Sequence, residues 1–365
     1  MRIDQLSISN FRNIQQASLS GLAKLNIFIG NNGSGKTSLL EAIYLLSSAK
    51  SFRSQRIQHV VRHGASNGLV VAKCDDGGVL GVDKNIDGNT VIKYSGETIR
   101  SAFQLADILP IQLINDESFQ LLTAGPQTRR QLMDWGVFHV EHQFHAAWTQ
   151  CQKSLKQRNA LLRQYKGQTP MALLKPWTDA LCESSLLLDA LRDSWFEKFH
   201  AMIMPILQQL LPAVTDISFS YYCGWDRVRG LADCLEDGLD TDMQRGFTHY
   251  GPQRADIRVK VGGRPAEDVL SRGQQKLVVA AMKVAQQRVL EAIGKRSSYV
   301  IDDIAAELDA ENAKNLLNLI LGGTGIQQVF MTAIEVTDIP AINKNALENL
   351  AMFHVEHGTI SPAEG

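Results

Sequence analysis

Between Leu25 and Ser38 the chain passes from a short apolar run through a glycine-rich stretch into a helix, and no other segment restricts the fold so tightly. Ile27, Phe28 and Ile29 have the length and composition of a buried strand that breaks at Gly30. Thr37 then opens an amphipathic helix with Leu39, Leu40, Ile43 and Leu46 at helical spacing. Between them, Gly30-Asn31-Asn32-Gly33-Ser34-Gly35-Lys36-Thr37, followed by Ser38, fits G-x-x-x-x-G-K-[ST], the pattern of a phosphate-cradling loop. Gly30, Gly33 and Gly35 give backbone angles and close approaches that a Cβ would block. Amides exposed at the helix start point at phosphates. Lys36 is a point charge for the β- and γ-phosphates, and the Thr37 hydroxyl is a Mg²⁺ ligand. The bare pattern also fits a glycine-rich turn with an incidental lysine. The strand before it and the helix after it decide for nucleotide binding.

A second half of such a site lies far along the chain. Ser298 to Ile301 reads as an apolar strand ending in Asp302 and Asp303. Two adjacent aspartates at a strand end usually mark a solvated turn. Beside a phosphate loop, that position holds Mg²⁺, which assigns Asp302 to the metal and places Asp303 to orient or deprotonate the attacking water. Leu270-Ser271-Arg272-Gly273-Gln274-Gln275 precedes a long helix whose Leu277, Val278, Ala281 and Val284 face inward. Ser271 is a natural N-cap, and Gly273 leaves the first-turn amides open to an anion. A capped helix alone explains this stretch equally well.

The 365 residues suffice for one large domain or two smaller ones, and 44% hydrophobic content supports a real core. The formal net charge is −1, so any polyanion must be met by local basic patches, without help from an overall positive field. No apolar run is long enough to span a bilayer, and the N-terminus alternates like a strand without the apolar core of a signal peptide. Five scattered cysteines without a C-x-x-C point to free thiols in a reducing cytosol and away from zinc or a disulfide framework.

Residues 2–30 read as two strands around a turn, 68–100 as a β-meander with tight turns at Asp87-Gly88 and Ser95-Gly96, and Pro110 to Ile114 as a buried strand. From Gly125-Pro126 to about 212 the chain turns helical, over Trp148 to Tyr165 and Trp177 to Leu210, with a hairpin tip at Gly167 to Pro170. Leu155, Leu161, Leu162, Leu186 and Leu187 read as hairpin core. A strand follows at Ile217 to Tyr222 and a polar helix at Asp233 to Arg245. The expected organisation is a discontinuous domain, 1–125 with 246–365, and an inserted helical arm, 126–245. Phe-His-Val-Glu-His occurs at 138–142 and again at 353–357. His139, His142 and His145 are loosely spaced for metal ligands, and satisfied or surface histidines are the better reading.

The phosphate loop, Leu270 to Gln274, the strand-terminal acidic pair and Ala306-Glu307-Leu308-Asp309 follow one another as in ABC-type ATPases. Within that superfamily the chain most resembles the RecF family of bacterial recombinational-repair proteins. Asn10 to Asn13, Lys50 to Arg53, Gly125 to Arg130 and His249 to Pro252 add to the likeness. The resemblance implies an α/β fold: an ABC-type head of β-strands and a RecA-like core, with an inserted helical lobe. It implies ATP and Mg²⁺ as ligands and a homodimer on ATP binding. Ser271, Arg272, Gly273 and Gln274 would then meet the γ-phosphate in trans, Gln112 would watch Mg²⁺ and the γ-phosphate, and Asp309 would communicate across the dimer. The partners implied are double-stranded and gapped DNA, RecR with RecO, and the RecA pathway at single-strand gaps, in the cytoplasm at the nucleoid.

Two departures from the wider pattern imply slow hydrolysis: Asp303 stands where many members have Glu, and Ala333 where many carry a histidine. DNA contact falls to Lys50, Arg53, Arg56 and Arg62, to Arg129 and Arg130, or to Arg254, Arg258, Lys260 and Arg264, each of which serves equally as a solvated face. Lys50 and Arg53 alternatively contact the nucleotide. Few aromatics interleave with them, which favours backbone contact with duplex DNA. The ATP-binding subunit of a membrane transporter is the main alternative, but the insertion between Lys36 and Ser271 is too long for it. A chromosome-organising ATPase needs far longer coiled-coil arms. A small-molecule phosphotransferase has no use for Leu270 to Gln274 or for Asp309.

Overall fold

A computed structural model describes residues 1–54, 56–165, 167–339 and 349–363. The chain divides into two compact units, Met1–Phe119 with Lys276–Gly365, and Gln120–Gln275.

The first unit opens with β1 (Ile3–Phe11), β2 (Ile14–Leu19), β3 (Leu25–Ile29), α1 (Lys36–Ser48), β4 (Asn67–Cys74), β5 (Val79–Asn85), β6 (Thr90–Tyr94) and β7 (Glu97–Ile99). Then come α2 (Ala102–Ile108), β8 (Ile111–Ile114) and α3 (Asp116–Phe119). The second unit holds α4 (Pro126–Val140), α5 (Phe144–Tyr165), α6 (Met171–Leu210), β9 (Ile217–Tyr222), α7 (Leu231–Asp237) and α8 (Leu239–Arg245). It continues with β10 (Asp256–Val261), β11 (Arg264–Pro265), α9 (Ala266–Val269) and the first turn of α10 (Arg272–Ala292). The chain returns to the first unit for β12 (Ser297–Ile301), α11 (Ile304–Glu307), α12 (Ala310–Leu321), β13 (Ile326–Ala333), β14 (Leu350–Glu356) and β15 (Thr359–Pro362).

Two six-stranded sheets build the first unit. One is antiparallel, ordered β2-β1-β4-β5-β6-β7, with turns at Asp87-Gly88 and Ser95-Gly96 where Gly88, Ser95 and Gly96 have positive φ. The other, β15-β14-β3-β13-β12-β8, is parallel except for β15. Its β3 and β12 are buried at every position, as suits strands covered on both faces. The loop-preceding strand β3 lies between β13 and β14, with Ile29 opposite Ala333 on one side and His354 on the other.

Two expectations need correcting here. Residues 2–30 form three strands, because Ile14–Leu19 pairs back on β1 before β3 begins. Helix α1 is not amphipathic: Leu39, Leu40, Ala42, Ile43, Leu45 and Leu46 are all fully buried. It contacts strands of both sheets, so only a narrow strip, Thr37, Tyr44 and Ser48, is part-exposed. Its one carboxylate, Glu41, is buried and held bidentately by Arg12 at 2.6 and 2.8 Å.

In the second unit α5 and α6 pack as a helical hairpin, and α4 lies close against α6, where a Cβ on Gly136 would come within 2.4 Å of the Trp195 ring. Arg158 pairs with Asp242 at 2.7 Å, Arg192 with Asp134 at 2.8 Å and Arg129 with Asp256 at 2.8 Å. Leu186 and Leu187, read as hairpin core, are 57% and 42% exposed. The inward stripe of α6 runs through Leu181, Ser184, Ser185, Leu188, Arg192 and Trp195, so serines and an arginine occupy positions that leucine content alone would give to 186 and 187. The helix expected over 233–245 is two short ones broken at Gly238. The unit extends to Gln275, beyond the expected 126–245, because β10 pairs with β9 and keeps the returning segment with the arm. Among the described residues no helix is long and apolar enough to cross a membrane.

Candidate active site

The phosphate-loop pattern sits where β3 gives way to α1. Gly30 meets its neighbours closely: a Cβ there would lie 2.2 Å from the Val355 carbonyl oxygen. Gly33 and Gly35 have φ of 82° and 117°, a region L-residues seldom enter. The loop is also held from outside. The Ser34 carbonyl accepts from Gly358 N at 2.8 Å and from Asn13 Nδ2 at 3.3 Å. In a trans peptide the N–H points opposite to the C=O. Anchoring that carbonyl therefore turns the Gly35 amide the other way and fixes the peptide plane. Lys36, the first residue of α1, donates from Nζ to the carbonyls of Gly30 and, at 3.1 Å, of Asn31. Burial lowers its pKa, while Asp303 and Asp302 hold it up.

Asp302 follows the end of β12, with its amide on the Ile114 carbonyl at 2.9 Å. Its Oδ1 accepts from Thr37 Oγ1 at 3.2 Å and from Thr332 Oγ1 at 2.9 Å. Burial raises the Asp302 pKa, the hydrogen bonds from Thr332 and Thr37 oppose this, Asp303 adds to it, and Arg53 opposes it. Asp303 adopts φ of 49°, uncommon for a residue with a side chain, and donates its amide to Thr332 Oγ1 at 2.9 Å. Thr332 thus ties both aspartates to the end of β13. A hydroxyl and a half-buried carboxylate in mutual contact, with a second, exposed carboxylate adjoining, form the hard oxygen set that suits Mg²⁺.

These groups line a cleft of about 490 Å³, together with Arg12, Asn13, Asn32, Gly33, Gly35, Ser38, Arg53, Gln58, His59, Val61 and His63. Every residue lining it belongs to the first unit. Sequence reasoning missed Thr332, Arg12, Asn13, Gln58, His59 and His63. A signal existed for Arg12 and Asn13, inside the Asn10 to Asn13 stretch, but nothing in the sequence said which turn that stretch would meet.

Gln112 is not in the cleft, which corrects the expectation that it watches the metal. It lies within β8, is 2% exposed and donates to Gln287 on α10 at 3.4 Å. The strand runs on to Ile114, so position 112 is too early to reach the strand end. Ser271 and Gln274 cap α10 reciprocally: Gln274 N donates to Ser271 Oγ at 3.3 Å, and Ser271 N to Gln274 Oε1 at 2.9 Å. Ser271, Arg272 and Gly273 are exposed, with open space where a Gly273 Cβ would be. Asp309 caps α12 and accepts from Asn312 N at 2.9 Å, which holds its carboxyl below the usual range.

Several candidate DNA-contacting cations are already engaged. Arg129 grips Asp256 with two nitrogens, Arg130 donates to the Ala255 carbonyl at 2.8 Å, and Arg258 lies 4.0 Å over the Tyr222 ring. Lys260 is exposed on the β10–β11 hairpin, as is Arg264. His139 is buried against the rings of Trp135 and Phe138.

A family model described as the RecF/RecN/SMC N terminal domain matches residues 2–361. Over 373 residues the chain is 41% identical to the DNA replication and repair protein RecF of Stutzerimonas stutzeri, covering 100% of this chain and 98% of that relative. It is 40% identical to the protein of the same name from Shewanella piezotolerans, over the full length of both. Among solved structures it is similar to the recombination mediator protein RecF with ATP, of the RecFOR pathway. The TM-score is 0.85 at 23% identity, covering 100% of this chain and 98% of that one. The Smc head domain of Pyrococcus furiosus, solved with a domain of ScpA, aligns with a TM-score of 0.58 at 16% identity, over 99% and 96%. These two likenesses establish the fold, that of an ABC-type ATPase head.

Proposed function

The chain belongs to the RecF family of DNA replication and repair proteins, within the wider RecF/RecN/SMC group, and on that premise we propose that it is an ATP-dependent dimeric clamp on duplex and gapped DNA. The observation that carries the reading is the convergence of Lys36, Thr37, Asp302, Asp303 and Thr332 on one cleft from three strand ends.

The residues divide the work. Phosphate oxygens replace the Gly30 and Asn31 carbonyls as acceptors for Lys36, whose burial makes an anionic partner more valuable than in water. Gly35 and its neighbours present amides already oriented by Asn13 and Gly358, so little reorganisation accompanies binding. Thr37 and Asp302 would hold Mg²⁺, which when bound neutralises charge between the β- and γ-phosphates. Thr332 fixes Asp302 and the Asp303 backbone, leaving the Asp303 carboxylate to orient the attacking water. Asp303 is a short lever for this, and Ala333 supplies no polar group, so hydrolysis is slow and DNA-dependent.

Ser271, Gly273 and Gln274, with Arg272, complete the cleft of a second copy, and Asp309 relays closure between copies. The exposure of Ser271, Arg272, Gly273 and Asp309 supports this reading. RecR with RecO receives the clamp, and RecA loads at the adjoining gap, in the cytoplasm at the nucleoid. A transporter subunit is not favoured, given the full-length similarity to repair proteins.

Binding of Asp303→Asn to a labelled gapped duplex, with and without Mg-ATP, tests this, with sedimentation on the same samples. DNA binding and dimerisation that both require ATP, and that Ser271→Arg abolishes, are expected. ATP binding with neither consequence would sink the clamp reading.

A further inference from the structure

Helix α5 carries an exposed basic face that the nucleotide chemistry does not use. Its 22 residues contain Lys153, Lys156, Arg158 and Arg163 and no aspartate or glutamate. Arg158 turns inward and is consumed by Asp242 and Thr248. The other three point out and are exposed, and among the described residues no ion pair involves them. At 100° per residue, positions 153, 156 and 163 fall within one face, and they span about 15 Å along the axis. They border a shallow cleft of about 590 Å³ whose remaining walls include Gln152, Gln157 and Asn159, all hydrogen-bonding groups.

The charge extends past the helix. A Cβ on Gly246 would lie 3.1 Å from Arg163 Cγ, which brings the exposed Arg245 at the end of α8 beside the same face. The acid that α8 turns toward α5, Asp242, is fully buried and held by Arg158 and His249. It therefore adds no charge to the outer face; the other acid of α8, Asp240, is exposed, and Arg245 Nη1 lies 3.4 Å from His249 Nε2. A chain with a net charge of −1 that keeps three unpaired cations on one acid-free helix has a local field suited to a polyanion.

We infer that the outer face of α5, with Lys153, Lys156, Arg163 and Arg245, is a docking surface for the phosphodiester backbone of DNA. One strand presents a phosphate about every 3.4 Å of axis, so the 15 Å row can address about four. The amides of Gln152 and Gln157 add donors without base selectivity. The contact is therefore nearly sequence-blind and sensitive to salt. It rests on the reading of this chain as a DNA clamp, and locates that contact on α5 of the arm, on residues that do not line the nucleotide cleft.

The test uses the full chain with Mg-ATP and a labelled gapped duplex across a salt series. Replacing Lys153, Lys156 and Arg163 by Gln should lower the slope of log affinity against log salt by about 2 to 3, near 0.9 per cation. At moderate salt it should weaken binding tenfold or more. ATP affinity and melting temperature should stay unchanged, since none of the three is buried or lines the nucleotide cleft. Unchanged DNA affinity and slope in a variant whose parent binds DNA would overturn the surface and leave the clamp reading intact. A parent that binds no DNA with ATP would overturn both. Retained DNA binding with loss of RecR capture would assign the face to a protein partner and likewise overturn the inference.

Discussion

The buried cations of the two units are satisfied in opposite ways. In the first, Glu41 is closed off by Arg12, but Lys36, buried on the same helix, satisfies itself on loop carbonyls that a ligand can displace. In the second, Arg158, Arg192, Asp242 and Asp256 are buried in pairs that already use both partners. A charge meant for a ligand is kept provisionally satisfied. A charge meant for the fold is closed off. The contrast predicts that the same kind of substitution will affect function in one unit and stability in the other.

The largest effect should come from Arg158→Met, which removes the guanidinium from the fully buried Asp242 and leaves it only the His249 contacts. Breaking a buried pair on one side costs about 3–5 kcal/mol. Denaturant unfolding should show the loss while ATP affinity stays within about twofold. An unaltered midpoint would erase the distinction between the units. Next, Asp302→Asn should cut ATP turnover about 10²- to 10³-fold. Stability should move the other way. Burial raises the Asp302 pKa, so its ionised form opposes folding above that pKa, and removing the charge should leave the melting temperature at neutral pH equal or higher. A melting temperature that falls would mean that Asp302 is structural after all.

Asn13→Ala should be milder, since it removes one of two donors to the Ser34 carbonyl. About 1 kcal/mol, or a fivefold rise in the ATP dissociation constant with kcat nearly unchanged, is expected from nucleotide titration. A fall in kcat alone would contradict an orienting role. The smallest effect belongs to Leu186→Ser on the exposed side of α6, within about 0.5 kcal/mol by thermal unfolding. A loss of several kcal/mol would restore Leu186 to the hairpin core.

Legibility in the sequence followed the same division. Gly30 to Thr37, Asp302 and the Ser271 cap could be read because each depends on residues a few positions away. Thr332, Asn13 and His59 could not, because sheet pairing and turn docking bring them to the cleft from distant stretches. Gln112 was misplaced because a likeness to other chains fixed its role without fixing how far β8 runs. The leucines of α6 failed for a different reason. Their spacing identifies a helix, but which side turns inward depends on what packs there, and Arg192 and two serines took that side. Arg129 and Arg258 looked available until Asp256 and Tyr222 were found against them.

The position of β3 between β13 and β14 bears on how the protein is made. The strand that carries the phosphate loop finds both of its neighbours about 300 residues later, and the turn at Gly358 that braces Ser34 comes later still. On the ribosome, at about 5–20 residues per second, the loop would wait roughly 15 to 60 s for them. The arm, drawn from one continuous stretch, can close while synthesis continues. Chains arrested before residue 350 should therefore yield a protease-resistant arm and a readily cut loop, and a nascent chain should acquire nucleotide only once β14 and Gly358 have left the ribosome.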